Sequence, residues 1–282
     1  MEIKLLRGTT EREITIAFNQ AFTDYLVPLQ LTEVQLHEKM LADKVAFDIS
    51  VGVFENGKLI AFMLHGLDVQ YGKKVAYNGG TGVIPEKRGK GLCHRMNRFV
   101  LPILRDKGIN SVFLEVIDNN IPAITSYKKS GFIVKRALHC YKGSLRALQP
   151  NIGLEVKKLH SYDWNRMESF WDVFPSWQNS KSVLESLTIE NHALGAFVEN
   201  TMVGYLIFSP KNNRLRQIAV DQKFRRQGIA SALLSELTKN YEGTYSIINV
   251  DASAVGTITF LKRMGLHHYL EQFEMELEFD RY

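Results

Sequence analysis

The sequence predicts an α/β (α+β) chain built from two copies of one strand-rich unit. Three observations carry this: an internal repeat, the same order of strands and helices in both halves, and a glycine turn between strand and helix that occurs twice. The run Val83-Ile84-Pro85-Glu86-Lys87-Arg88-Gly89-Lys90-Gly91-Leu92-Cys93 lines up with Val220-Asp221-Gln222-Lys223-Phe224-Arg225-Arg226-Gln227-Gly228-Ile229-Ala230. Its valine, arginine and second glycine match at a constant offset of 137. Leu114-Glu115-Val116 then matches Ile248-Asn249-Val250, and Gly131-Phe132 matches Gly265-Leu266, both at an offset of 134. A repeat of this length sets the frame for every local reading. The copies span 1–146 and 152–282 and join near Arg146 to Asn151, where Pro150 and Asn151 break the pattern.

In the first copy a short strand, Ile3–Leu6, precedes helical stretches at Glu11–Phe22 and Thr32–Ala42. Strands Phe47–Phe54 and Lys58–Leu67 flank Glu55-Asn56-Gly57, a strong hairpin signal. A further strand ends at Val83, and the glycine loop leads into helix Cys93–Lys107, with Met96, Phe99, Val100, Ile103 and Leu104 on one face. Strand Ser111–Val116, helix Ile121–Ser130 and a strand from Ile133 towards Tyr141 complete it. The second copy repeats the order: strand Leu154–Leu159, helices at Tyr162–Val173 and Lys181–Leu187, a hairpin at Glu199-Asn200-Thr201, then strand, loop and helix.

Composition excludes several classes. Apolar residues make up 45% and charged residues 23% of the 282, an ordinary globular balance. Runs such as Leu59–Leu64 are far shorter than the roughly 18 residues a membrane helix needs. Met1–Ile14 carries six charged residues and no apolar stretch, so no secretory signal is expected and the compartment expected is the cytoplasm. Cys93 and Cys140 cannot build a disulfide framework or a four-ligand zinc site, and the eight histidines show no metal-ligand spacing. His65, His94, His139 and His267-His268 read as structural or surface groups, and no metal is expected. The net charge of +5 divides into +7 over residues 1–150 and −2 over the rest. The positive charge is scattered rather than striped, which argues against nucleic acid; an anionic small molecule bound by the first half explains the asymmetry, and chance partition explains it nearly as well.

The glycine loop is where chemistry starts. A strand that turns through glycine into a helix presents unpaired backbone N–H groups where the helix dipole favours an anion. Arg88 and Lys90, or Arg225 and Arg226, add charge suited to a pyrophosphate. Gly91 and Gly228 allow close approach, and small Cys93 and Ala230 leave the first turn uncrowded.

Arg88-x-x-Gly91-x-Cys93 and Arg225-x-x-Gly228-x-Ala230, each after a strand ending in valine, resemble the acetyl-CoA signature of the GNAT N-acetyltransferase superfamily. Leu114-Glu115-Val116, Asn120, Ala123-Ile124, Tyr127 and Gly131-Phe132 resemble its second motif at the usual spacing. Cys93 stands where Gly or Ala is usual. In the second copy Ala254 replaces Asn120 and Leu261 replaces Tyr127, so that motif is degraded. The resemblance covers essentially the whole chain as a tandem pair, and implies for each domain a mixed, mostly antiparallel twisted sheet flanked by helices.

It further implies an acetyl-CoA-dependent N-acetyltransferase acting on a small-molecule or peptide amine by direct attack, as a monomer of two like domains or a homo-oligomer. The pyrophosphate is expected on the N–H groups of Arg88, Gly89, Lys90, Gly91, Leu92 and Cys93, with Asn120 nearby, or of Arg225, Arg226, Gln227, Gly228, Ile229 and Ala230. The pantetheine arm is expected along Thr81–Val83 or Ile218–Val220, and Tyr127 is expected as the proton donor to the leaving thiolate. Glu115, Asp118 and Asp68 are candidates for the general base. Gly79, Gly80 and Gly82 fit close approach of backbone or substrate. Trp164, Phe170, Trp171, Phe174 and Trp177 fit core packing better than an acceptor pocket. Three other readings remain open: catalysis in the second copy, a coenzyme-binding sensor without turnover, and a nucleic-acid binder, which steep salt dependence would reveal.

Overall fold

A computed structural model describes residues 1–25, 29–146 and 154–279 of the chain; Pro150 and Asn151 lie outside them. Eight α-helices and twelve strands are described, the strands mostly antiparallel. The chain divides into two compact units, Met1–Lys135 with Phe273–Tyr282, and Arg136–Gln272. The repeat boundaries 1–146 and 152–282 follow the sequence, whereas the units follow an exchange of final strands. β6 (Ile133–Gly143) ends the first copy but lies in the second unit from Arg136 on, and β12 (His267–Glu278) lies in the first unit from Phe273 on.

In the first unit the strand order is β1-β2-β3-β4-β5-β12, with β1 Glu2–Leu5, β2 Val51–Glu55, β3 Lys58–Gln70, β4 Lys73–Val83 and β5 Ser111–Ile117. The hairpin between β2 and β3 turns at Asn56 and Gly57, both at positive φ, as a tight type I′ turn requires. Residues 47–50 form a turn rather than the start of the expected strand, because Ser50 Oγ and the Ile49 N–H both bond back to the Ala46 carbonyl. On one sheet face lie α1 (Glu11–Ala21) and α2 (Glu33–Ala42), each begun by a capping box, Thr10 with Glu13 and Thr32 with Gln35. Their apolar stripes bury Ile14, Phe18, Leu36 and Met40 against Phe62 and Leu64.

On the other face lie α3 (Leu92–Asp106) and α4 (Ile121–Lys129). Leu92, Met96, Val100 and Leu104 recur every fourth residue and pack on Val112, Leu114 and Val116 of β5. That stripe leaves Phe99, expected on the packed face, exposed.

The second unit has the order β6-β11-β10-β9-β8-β7, with β7 Glu155–Leu159, β8 His192–Val198, β9 Thr201–Ser209, β10 Arg214–Val220 and β11 Tyr245–Asp251. One face carries α7 (Ile229–Thr238) and α8 (Val255–Arg263); the other carries α5 (Trp164–Glu168) and α6 (Lys181–Ser186). The helix expected over Tyr162–Val173 stops at Glu168, with Ser169 as its C-cap, and the Phe170 carbonyl beyond it accepts from Arg225. Trp164 and Phe170 are buried core, whereas Phe174 is exposed, so these aromatics form no common pocket.

Candidate functional site

Each unit builds the same fork between two parallel strands. β4 pairs with β5 only from Val75↔Ser111 to Asn78↔Leu114, although both strands run on. Gly79 is the extra residue of a bulge, since β3 Leu64 faces Gly80 while His65 faces Asn78. The bulge bends β4 away from β5 and opens the fork from Gly79 to Val83. In the second unit β10 and β11 pair only at Arg214↔Ser246 and Leu215↔Ile247, and Arg216 is the extra residue.

At the end of each splayed strand a 3-10 turn leads into the loop. Gly89 and Gly91 both have positive φ, and Gly91 is the N-cap of α3 with no side chain to take the helix's first N–H groups. The second loop copies this, with Gly228 as N-cap of α7 and Arg226 at φ 61 where the first has Gly89. Leu92 and Ile229 are buried core residues, so each offers only its backbone. Lys90, Arg226 and Gln227 are exposed at the loop surface.

The arginines are used differently from the expectation. Arg88 gives Nη1 and Nη2 to the Asp24 carboxylate, both at 2.7 Å, Nη2 also to the Ala21 carbonyl at 2.9 Å, and Nε to the Val83 carbonyl at 3.2 Å. Its own N–H bonds to the Pro85 carbonyl. Arg225 repeats the pattern on Asp172 (2.7 Å), Phe170 (2.9 Å) and Val220 (3.0 Å). Each guanidinium therefore staples its loop to the helical segment before it, and its charge is met by a carboxylate. The start of α3 at Gly91, which no side chain caps, lies beside this staple.

The two faces of the first fork carry different chemistry. On the α3/α4 face, Tyr127 of α4 is buried and hydrogen-bonds with Thr81; burial holds its phenol above the ordinary value, with Cys93 adding to the rise. Thr81 is fixed in turn by Asn78, whose Nδ2 donates to Thr81 Oγ1 at 2.8 Å. Burial raises the Cys93 thiol against a hydrogen bond with Ser126, which rules out a ready thiolate. Asn120 caps α4 by accepting from the Ala123 N–H at 3.3 Å and also hydrogen-bonds with Tyr25. Thr81, Cys93, Asn120 and Tyr127 are thus brought together; Asn78 and Tyr25 were missed.

On the α1/α2 face, Glu115 stands one residue past the last β4–β5 pair and accepts from the Tyr77 hydroxyl. Burial pushes its carboxyl up to about 8, and the charges of Glu274 and Asp43 push the same way, against the Tyr77 hydrogen bond and Lys39. Its Oε1 is buried with no hydrogen-bond partner among the described residues. Asp68, by contrast, is ion-paired with Lys44 at 3.1 Å. Gly79 and Gly82 are packing glycines: a Cβ would lie 2.7 Å from the Asp43 carboxylate and 2.5 Å from the Phe62 ring. A Cβ on Gly80 would meet nothing closer than 4.0 Å, so this glycine leaves real space.

The second fork is closed on the matching face. Gln217 occupies the Gly80 position and donates Nε2 to the Asn179 carbonyl at 2.6 Å, while Asn179 Nδ2 donates to the Ile248 carbonyl at 3.0 Å. Asn179 therefore bridges β10 to β11. Tyr205 donates to Gln217 Oε1 at 2.5 Å and accepts from Trp171 Nε1 at 2.6 Å, extending the bridge into the core. On the other face buried Leu261 stands where the first unit has Tyr127.

Comparison with known proteins agrees with this repetition. The acetyltransferase (GNAT) family profile matches residues 14–132, and a GNAT acetyltransferase domain profile matches residues 161–276. No curated protein matches the sequence. Among solved structures the chain is similar to a GCN5-related N-acetyltransferase from Sphaerobacter thermophilus, at 14% identity and a TM-score of 0.73, over 98% of this chain and 95% of that one. It is similar over 100% of both chains to a tandem GNAT protein from the clavulanic acid biosynthesis pathway, at 12% identity and a TM-score of 0.72. These likenesses establish the fold as a tandem pair. No helix among the described residues is long and apolar enough to cross a membrane.

Proposed function

We propose, since this chain belongs to the acetyltransferase (GNAT) family, that its first unit transfers an acetyl group from acetyl-CoA to a primary amine, carried by a small molecule or a peptide. The observation that carries this reading is the contrast between the forks: space over Gly80 in the first, the Gln217–Asn179 bridge in the second. The residues fit the coenzyme. Acetyl-CoA supplies an activated acyl group when bound, and the N–H groups of Gly89 to His94 are the donors for its pyrophosphate. The backbone of Thr81–Val83 lies beyond the last β4–β5 pair and suits a strand-like partner such as the pantetheine arm, with the Val83 carbonyl already taken by Arg88. Glu115 takes the proton of the incoming ammonium through Oε1, and Tyr127 returns a proton to the departing sulfur. The two groups stand on opposite sheet faces, so neither short-circuits the other. The second unit keeps its loop N–H groups and holds coenzyme weakly without turnover, its fork being bridged and its tyrosine replaced by leucine.

Two variants test this. Asparagine tolerates the positive φ of Gly91 better than a branched residue, and its side chain competes for the N–H groups an anion would use. Gly91→Asn should weaken coenzyme binding by about 10–100-fold, as expected for losing one or two hydrogen bonds to a charged group. Unchanged affinity by calorimetry, with binding lost in Gly228→Asn instead, would move the coenzyme to the second unit. Gly80→Gln copies the second fork into the first. It should lower kcat/KM for the acceptor about 10–100-fold with coenzyme affinity nearly unchanged, while Gly80→Ala stays close to wild type. An active Gly80→Gln enzyme would leave the contrast between the forks without functional meaning.

A further inference from the structure

Strands β6 and β12 bring three metal-ligating side chains together within the second unit, none of them a residue of its loop or of β10. The donor atoms of His139, His268 and Glu271 all lie within 4.8 Å of one another. His139 Nε2 faces Glu271 Oε2 at 3.6 Å, and the two imidazole rings are 4.8 Å apart at their centroids. The other ring nitrogen of His139, Nδ1, lies 3.3 Å from the Tyr141 hydroxyl. That contact has the form of an outer-shell partner, fixing the ring so that Nε2 is presented to the cluster. Tyr141 is itself buried and packs against the His268 ring at 5.6 Å, so one rigid side chain orients both imidazoles.

We propose that His139, His268 and Glu271 bind one divalent transition-metal ion, zinc(II) by preference. Two imidazoles and one carboxylate form a donor set that suits zinc and its neighbours, and leave a fourth position for water. Magnesium and calcium, which want oxygen ligands, are selected against by the two nitrogens. Donors around a tetrahedral zinc stand about 3.3–3.5 Å apart. The His139–Glu271 distance already matches that, and His268, exposed at the strand surface, has the freedom to close the remaining gap. The ion would tie β6 to the start of β12.

The test uses the full chain, stripped with a chelator and titrated with zinc(II) against a chromophoric competitor, with cobalt(II) as a spectroscopic reporter. One equivalent should bind, raise the melting temperature and give cobalt(II) the intense visible bands of a four-coordinate site. Magnesium and calcium should do neither. Glu271→Gln and His268→Ala should each weaken binding at least tenfold, and His267→Ala, one residue along β12, should not. His268 is exposed, so its replacement leaves the fold testable even where His139→Ala does not. Absence of stoichiometric binding, or binding that survives both Glu271→Gln and His268→Ala, would reduce the cluster to a His139–Glu271 pair with two imidazole rings in tilted contact.

Discussion

Tyr127→Phe should lower turnover by about 10²–10⁴, the range for a positioned general acid, with coenzyme affinity and melting temperature nearly unchanged. The substitution removes one hydroxyl and keeps the ring. That ring packs edge-on against Phe132 at 5.7 Å and belongs to the core beneath α3 and α4, so packing survives. What is lost is the hydroxyl and its hydrogen bond with Thr81. A phenol raised by burial stays protonated across the physiological range, which a donor to a thiolate requires. Thr81→Val gives a useful second measurement: it leaves the hydroxyl in place but removes its anchor, and a smaller loss of kcat is expected. Wild-type turnover in Tyr127→Phe, followed by thiol release, would take the phenol out of the mechanism. Suspicion would then fall on another donor near the loop, since buried Leu261 cannot serve in the second unit.

Much of this arrangement was legible because it is local in the chain. The hairpins and both loops each lie within a few consecutive residues, the repeat follows from aligning such short runs, and the Asn120–Tyr127 spacing places cap and phenol on one helix. The arginine staples were not legible. Their partners, Asp24 and Asp172, precede Arg88 and Arg225 by more than fifty residues and lie outside the matched motifs. Their repetition in both units was the one available signal, and the helical segments before the first hairpins are too divergent in sequence to align. The exchange of β6 and β12 was invisible for a different reason: the two final strands are equivalent in pattern, so sequence does not say which sheet each joins. The His139, His268 and Glu271 cluster has no ligand signature either. His139 comes from the other end of the unit, and an offset of three on a strand ordinarily points to opposite faces. Glu115 was visible as a residue but not as the base the proposal favours, because its unpartnered Oε1, its place beside the end of strand pairing at Leu114 and the Lys44 ion pair that occupies Asp68 are all set by the fold.

Glu115→Gln should lower kcat/KM by about 10²–10⁴ and also change its pH dependence. With its carboxyl near 8, Glu115 is mostly protonated at neutral pH, and the ionised form that accepts a proton accumulates as pH rises. The wild-type kcat/KM should therefore climb about tenfold per pH unit below 8 and level off above it. Glutamine still accepts from Tyr77, so the base of the fork keeps its shape while the rising limb near 8 disappears. Any remaining limb would belong to the acceptor amine, whose ordinary range is near 10. Stability provides a check independent of acceptor identity. A carboxyl raised from 4.5 in the unfolded chain to about 8 in the folded one holds its proton in the folded state alone between those values. Its contribution is fully present below about 4.5 and is lost as pH rises towards 8. Chemical denaturation should show this decline in the wild type and a flatter profile in Glu115→Gln. If the variant keeps both the rising limb and the declining stability, the titrating group is another one, and Asp118, on the chain just beyond β5, is the next to replace.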